Sequence, residues 1–236
     1  MISKFSGSRQ DLQFLLLLGI LLAVLGISLF LTVSMGSVAI DLGDTYRIIL
    51  SRLGFPLEIG EVSKSTLAIV WNMRFPRVLL GLIVGAGLSM CGSVMQSTVN
   101  NPIAEPYVLG ISAGATLGAT LSIILGLKVM ISLGAFLGAI LATIAVLIIA
   151  SMQGRMTTSS LILSGTVVNA LFLAFSNFII SVGANADSVM TIKFWTMGSL
   201  AGTTWSDLVL PTIVVGMAFL FFRYSVSCFQ CDDDGR

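Results

Sequence analysis

The sequence predicts an all-α, polytopic integral membrane protein, and three observations lead to this fold class. Of 236 residues, 56% are hydrophobic and only 10% are charged, whereas soluble domains carry about 25% charged residues. Several charge-free stretches reach the length of about 20 apolar residues that a helix needs to cross a bilayer. These stretches are continuously apolar, whereas the strands of a membrane barrel alternate apolar and polar residues over about 10 positions. A transmembrane helical bundle is therefore favoured over a barrel.

The same composition excludes a soluble enzyme and a nucleic-acid-binding module. The chain has too few polar side chains to cover a water-soluble globule, and a formal net charge of +1 provides no basic surface for nucleic acid. It contains no histidine, which removes histidine metal ligands and histidine general bases. We therefore expect no catalytic residue, no metal site and no cofactor in this chain.

Charge-free runs place six transmembrane helices along the sequence. The first run begins at Leu12 and is longer than the apolar core of a signal peptide, so a retained helix is expected. The last run, Leu208–Phe222, is short and needs Trp205 and Tyr224 at its ends, where aromatic side chains suit the membrane interface. The predicted helices lie at about 12–35, 77–98, 107–126, 130–150, 159–182 and 206–223.

The polar segment 36–76 connects the first two predicted helices. Within it, Leu42, Tyr46, Ile49 and Leu53 recur at helical spacing, which predicts a short amphipathic helix on the membrane surface. A solvated loop is the alternative. With the N-terminus inside, more Lys and Arg residues fall outside than inside, so the charge bias does not settle the topology.

Small residues recur at every fourth position in three predicted helices. Such stripes let helix backbones approach closely within a membrane, and they predict a tightly packed bundle. The stripes are Gly81, Gly85, Ser89, Ser93 and Ser97; Gly110, Gly114, Gly118, Ser122 and Gly126; and Gly134, Gly138 and Ala142.

Charged and thiol side chains give little support to other functions. The predicted spans contain almost no charged residues, although ion-coupled carriers usually need them there. Cys91 is interpreted as a small packing residue. Cys228 and Cys231 form a single Cys-x-x-Cys pair, which is too few ligands for a zinc site.

Two motifs precede glycine-rich helices in this sequence. One is Arg74-Phe-Pro-Arg77. The other is Asn-Pro-Ile-Ala-Glu-Pro, a structural motif that we interpret as a turn; with the helix that follows, its residues are Asn101, Pro102, Glu105, Pro106, Gly110 and Gly114. These motifs resemble those of the FecCD-type permeases, the membrane subunits of ABC importers for iron–siderophores, haem and cobalamin. The resemblance runs from about Gly36 to Tyr224 and includes Leu163–Gly165 and Trp195–Trp205.

The resemblance implies a permease subunit that forms the translocation pathway of an ATP-driven importer. It implies a cytoplasmic N-terminus at 1–11, a permease domain at 12–224 and an extracytoplasmic segment at 36–76, in a prokaryotic cytoplasmic membrane. The family pattern has ten helices. The implied partners are a second identical or related permease subunit, two cytoplasmic ATPase subunits that bind ATP and Mg, and an extracytoplasmic solute-binding protein. The alternatives are a secondary transporter or channel, and a non-functional permease fragment.

The resemblance also implies roles for particular residues. Arg74 and Arg77 are expected to receive acidic residues of the binding protein, because arginine is a permanently charged bidentate donor to carboxylates. Anchoring against lipid headgroups is the alternative for these two side chains.

Polar side chains around the fifth predicted helix are implied to line the pathway. Thr158 and Ser159 are expected at the cytoplasmic gate, with capping of the helix start as the alternative. Asn169 and Asn177 are candidates to line the pathway itself, and interhelical hydrogen bonding is the alternative for both.

The last residues depart from the family pattern. The resemblance implies a coupling loop and four further helices after the sixth, whereas residues 225–236 form an atypical polar tail that contains Cys228, Cys231 and three aspartates. We therefore expect a chain truncated after the sixth helix, which lacks the element that transmits ATP hydrolysis.

Overall fold

The computed structural model describes residues 3–36, 38–56, 62–99, 101, 105–127, 130–152 and 157–233. Within these ranges the regular structure is entirely helical, which confirms the all-α class. A π-helical turn at Ile69–Arg74 joins α3 to α4, and a 3-10 turn at Pro106–Leu109 precedes α5. The α-helices are α1 (Ser3–Ser34), α2 (Leu42–Arg52), α3 (Lys64–Ala68), α4 (Phe75–Val99), α5 (Ile111–Ile124), α6 (Ile131–Ser151), α7 (Thr158–Gly183), α8 (Ala186–Met197) and α9 (Trp205–Asp233).

Five of the helical segments in the described ranges are long and apolar enough to cross a membrane. They are Leu12–Ser34, Lys64–Val99, Ile131–Ser151, Thr158–Gly183 and Trp205–Tyr224. The chain is therefore a multi-pass membrane protein, as the composition predicts.

The predicted span at 107–126 contains a shorter helix than expected. Its α-helix, α5, has only 14 residues, whereas about 20 are needed to span the hydrocarbon core. Gly110 at φ +67° separates α5 from the preceding 3-10 turn, and Gly126 at φ +73° follows its last turn. Glycine adopts this left-handed conformation readily, so both ends of α5 are set by glycine rather than by the length of the apolar run.

Two further helices differ from the prediction. The predicted helix at 206–223 extends as α9 to Asp233, through most of the stretch expected as a polar tail. The additional helix α8 follows α7, and the side-chain oxygen of Asn185 caps it by accepting from Ser188 N at 2.8 Å. Such caps satisfy a free N–H group at the start of a helix.

The chain divides into two compact units, of which the second comprises Ala86–Ser199. Its core is the close packing of α5 on α6 and of both on α7. A Cβ atom built on Gly118 would overlap the carbonyl oxygen of Gly134, and one built on Gly114 would lie 2.5 Å from the Cβ of Ala142. The second and third small-residue stripes therefore pack against each other, as predicted.

Side chains of α7 complete the core of the second unit. Val168 is fully buried and belongs to the apolar cluster at α6. The hydroxyls of Thr120 on α5 and Ser176 on α7 lie 3.0 Å apart in a buried hydrogen bond. A buried polar pair satisfies both partners in an environment without water.

The first unit comprises Met1–Gly85 and Leu200–Arg236. The segment between the first two predicted helices contains α2, so an amphipathic helix is present. Of the residues at that spacing, Ile49 is buried, whereas Leu42 is 48% exposed and Leu53 is 58% exposed; that this face lies on the membrane surface stays a prediction. Thr45 and Ile48 are also buried, and Ile48 and Ile49 pack with residues of α1 and the π-helical turn.

Among the described residues, the small-residue stripe of α4 is less covered than those of α5 and α6. A Cβ atom built on Gly81 would lie at an ordinary contact distance of 3.7 Å from Leu200 Cδ1, and one built on Gly85 would meet nothing within 4 Å. The hydroxyls of Ser93 and Ser97 bond to backbone carbonyls of their own helix, and Cys91 is exposed rather than packed. The spacing predicts a face of small residues, but it does not show whether another helix packs on that face.

Candidate functional site

The two arginines of the Arg-x-Pro-Arg element have different surroundings within the first unit. Arg74 is half-buried, and its Nη1 donates to the carbonyl oxygens of Ser34 at 2.7 Å and Val33 at 3.4 Å. Its Nη2 donates to the carbonyl oxygen of Val38. Arg77, one turn further along, is exposed. The guanidinium of Arg74 is therefore held by the chain itself, whereas that of Arg77 is presented to the surroundings.

An aromatic cluster lies beside this element. The ring of Trp71 lies 4.9 Å from that of Trp205 and 5.5 Å from that of Phe75, measured between centroids. Trp205 Nε1 donates to the carbonyl oxygen of Trp71 at 3.1 Å. Arg52 of α2 lies over the Trp71 ring at 5.9 Å, within the range of a cation–π interaction. This cluster fixes the start of α9 against the turn that carries Arg74.

Sequence reasoning did not find the aromatic cluster. The sequence predicts Trp205 as an interface residue, but its partner Trp71 lies 134 positions earlier in the chain. No local pattern pairs the two. The available signal was the presence of tryptophan near both predicted helix ends, which is also the ordinary composition of a membrane interface.

The hydroxyl side chains at the start of α7 have distinct roles in the second unit. Thr157 Oγ1 accepts from Ser160 N at 3.1 Å and is the N-cap. Thr158 Oγ1 donates to the carbonyl oxygen of Val99 at 2.7 Å, at the end of α4. Ser159 is exposed. Of the two predicted gate residues, Thr158 connects two helices, and Ser159 presents an exposed side chain.

Ser160 makes a second connection at this point. Its buried hydroxyl donates to the carbonyl oxygen of Ala150 at 3.0 Å, in the last turn of α6. Carbonyls at a helix end have no partner within their own helix. Thr158 and Ser160 therefore satisfy carbonyls near the ends of α4 and α6 while holding the start of α7 in place.

Replacing Thr158 by valine is expected to destabilise the protein by about 1 kcal/mol, because the isosteric valine leaves the Val99 carbonyl without its donor. The matched control is Ser159→Ala, for which we expect no loss of stability because its side chain is exposed. Chemical unfolding in detergent, followed by circular dichroism, measures both. Equal stability of the two variants would contradict the connecting role of Thr158.

The asparagines of α7 differ in exposure. Asn169 is half-buried and Asn177 is exposed. Gly110 approaches the backbone of Asn169 closely: a Cβ built on Gly110 would lie 3.5 Å from Asn169 N and 3.4 Å from Val168 Cγ1. Asn177 therefore offers an exposed amide on α7, while Asn169 lies where the turn before α5 packs on the helix.

The Asn-Pro-x-Ala-Glu-Pro motif is only partly described. Asn101 N donates to the carbonyl oxygen of Gln96 at 3.2 Å and continues the end of α4. Glu105 is exposed, and Pro106 begins the 3-10 turn. Pro102 lies outside the described residues. The described residues of the motif lie after the end of α4 and in the 3-10 turn before the left-handed Gly110; its interpretation as a turn stays a prediction.

Among the described residues, no three Cys, Asp or Glu side chains come together as metal ligands. Of the predicted site residues, Arg77, Ser159 and Asn177 have exposed side chains. Such groups can bind a partner or line a pathway.

The model of the FecCD transport family matches residues 16–234, nearly the whole chain. The chain belongs to the FecCD transport family. This FecCD protein is 38% identical over 169 residues to the cobalamin import system permease BtuC of Halobacterium salinarum, covering 70% of the chain and 45% of the relative. It is 30% identical over 233 residues to the Fe(3+)-citrate import system permease YfmD of Bacillus subtilis, covering 97% of the chain and 66% of the relative.

A solved structure supports the same assignment for the FecCD protein. A chain described as an inward-facing conformation of a metal-chelate type ABC transporter aligns with a TM-score of 0.52 and 28% identity, over 71% of this chain and 55% of the other. The resemblance to the FecCD-type permeases is thereby confirmed. The chain spans 45% to 66% of the length of these curated relatives.

Proposed function

We propose that this chain forms the translocation pathway of an ATP-driven importer for an iron–siderophore, haem or cobalamin-type ligand. The observation that carries the proposal is the family match over residues 16–234. Relatives aligned over most of this chain are import permeases for cobalamin and Fe(3+)-citrate. These ligands are all large metal complexes, so the pathway must be wide.

The proposed assembly contains a second permease subunit, two cytoplasmic ATPase subunits that bind ATP and Mg, and an extracytoplasmic solute-binding protein. The N-terminus is placed in the cytoplasm. With this orientation, Arg77 at the start of α4 faces the extracytoplasmic side, where its exposed guanidinium can pair with a carboxylate of the binding protein. ATP hydrolysis belongs to the partner subunits, and this chain contributes binding and movement.

The proposed mechanism is alternating access, and the packing of the second unit suits it. The α5 and α6 helices contact each other through glycine and alanine, and α7 packs on them through the Val168 cluster and the Thr120–Ser176 hydrogen bond, so the three helices are expected to move as one body. The exposed side chains of Ser159 and Asn177 on α7 are the proposed polar contacts along the pathway. Weak, distributed polar contacts let a ligand pass without being retained.

The test is co-purification of the chain with its cognate ATPase and solute-binding protein in detergent, followed by uptake into proteoliposomes. We expect both partners to be recovered and uptake of cyanocobalamin or a ferric siderophore to require ATP. Uptake driven by an ion gradient without the ATPase would contradict the proposal and identify a secondary transporter. A folded chain that recovers neither partner would also contradict it.

A further inference from the structure

We propose that Arg74 is a positioning residue, whose guanidinium fastens the C-terminal end of α1 to the start of α4. The juxtaposition that carries this inference is one guanidinium with three backbone carbonyls from the end of α1 and the segment after it. The inference deepens the proposed function, on which it rests only for the expectation that Arg77 docks the binding protein.

Among the described residues, burial of α1 side chains is confined to the C-terminal end of the helix. From Leu12 onward, the described side chains of α1 are exposed along almost its whole length, and only Val33 and Ser34 in its last turn are buried. Apolar side chains in a membrane gain little from packing on each other, because lipid tails are equally apolar. The position of α1 within its unit is therefore decided at its C-terminal end.

The chemistry at this end requires an arginine. The last carbonyls of a helix lack partners within the helix and carry its partial negative charge. The Arg74 guanidinium serves the carbonyls of Val33 and Ser34 through Nη1 and that of Val38 through Nη2. A lysine ammonium is a compact point charge without this planar fork, so it cannot serve the same three oxygens with the same geometry.

The backbone of Gly36 lies against the guanidinium of Arg74. A Cβ atom built on Gly36 would lie 2.6 Å from Arg74 Nη2 and 2.8 Å from its Cζ. An alanine at this position would displace the guanidinium from its acceptors. Gly36 is therefore the second component of the fastening, and it provides a way to disturb Arg74 without replacing it.

Tyr46 of α2 supports the same end of α1. Its ring stacks on Phe30 with centroids 3.7 Å apart, and its hydroxyl donates to the carbonyl oxygen of Phe30. Ser34 Oγ donates to the Tyr46 hydroxyl at 3.3 Å. These groups hold the preceding turn, so Arg74 closes a small network rather than making an isolated surface contact.

The experiment measures the position of α1 directly. In the full chain with its three cysteines replaced by serine, spin labels are attached at cysteines introduced for Val24 on α1 and Leu53 after α2, which are both exposed. Double electron–electron resonance in nanodiscs then gives the distance distribution between the labels. We expect one narrow peak in the parent protein and in Arg77→Ala.

We expect the narrow peak to be lost in Arg74→Ala and in Gly36→Ala. Adding Gly36→Ala to Arg74→Ala is expected to cause no further broadening, because the glycine acts only through the guanidinium. Arg74→Lys, which keeps the charge and folds more readily, is expected to restore the peak only in part. A parent-like peak in Arg74→Ala, full restoration by lysine, or additive broadening in the double variant would each overturn the inference.

Binding of the cognate solute-binding protein separates this inference from the proposed function. Arg74→Ala in nanodiscs is expected to retain capture, whereas Arg77→Ala is expected to lose it. Loss of capture with an unchanged peak in Arg74→Ala would overturn the positioning role while supporting the importer. If Arg74→Ala loses the narrow peak but the parent protein does not capture the binding protein, the positioning role is supported and the importer is not.

Discussion

Gly118→Ala is expected to disrupt the packing of α5 on α6 and to be among the most destabilising single substitutions in the chain. The added Cβ would overlap the carbonyl oxygen of Gly134 and lie 2.7 Å from its carbonyl carbon. The obstacle is backbone, so no side-chain rotation relieves it, and the two helices must move apart. Overpacking of this kind costs about 1–3 kcal/mol and sometimes more, and we expect a value at the upper end.

The matched control for Gly118→Ala is Gly85→Ala on α4. The same methyl group is added to a glycine of another small-residue stripe, but there it would meet nothing within 4 Å. Alanine favours a helix over glycine by up to about 1 kcal/mol, so this variant is expected to equal or exceed the parent in stability. Thermal unfolding midpoints in one detergent compare the two. A Gly118→Ala midpoint equal to the parent's would show that the helices separate without cost.

These two glycines also show how far a sequence pattern reaches. Spacing of small residues at every fourth position predicted close approach in all three stripes, and in α5 and α6 the approach is present. The stripe of α4 has the same spacing, but a Cβ atom built on its Gly85 would meet nothing within 4 Å. Period and residue size are local properties, whereas the identity of the covering helix depends on the arrangement of the whole chain.

The ends of the helices were harder to predict than their existence. The apolar run at 107–126 suggested a full span, but the left-handed Gly110 divides it. Whether a glycine is left-handed depends on what packs against it, here Val168 and Asn169 of α7. Likewise, α2 was predicted from its apolar spacing, but its buried face is decided by α1 and the π-helical turn.

The candidate site was predicted as a set of residues and not as a geometry. The resemblance selected Arg74 and Arg77 together, and Thr158 and Ser159 together. In each pair, one side chain donates a hydrogen bond to a backbone carbonyl of the chain, and the other side chain is exposed. The acceptors lie about 40 and 59 positions away in sequence, so no local pattern could distinguish the two members of each pair.

Arg77→Glu is expected to abolish capture of the solute-binding protein and ATP-dependent uptake while leaving the fold intact. The guanidinium is exposed, and substitutions at exposed positions usually change stability by less than about 0.5 kcal/mol. At a docking surface, a reversed charge replaces attraction by repulsion. Loss of one partner of a close interfacial charge pair costs about 2–5 kcal/mol, which corresponds to at least a tenfold weaker complex. Surface plasmon resonance against the permease in nanodiscs measures the affinity.

The matched control is Arg47→Glu, because Arg47 is an exposed arginine on α2 of the same unit and its reversal changes the net charge equally. We expect this variant to slow association slightly and to retain capture, since a charge that is not paired with the partner acts only through the long-range field, which salt screens. Parent affinity should fall as salt is raised, and Arg77→Glu should lose that dependence. A lysine introduced for an acidic residue of the binding protein should restore capture by Arg77→Glu. Equal losses in Arg47→Glu and Arg77→Glu would show that the partner senses overall charge, and Arg77 would then have no specific docking role.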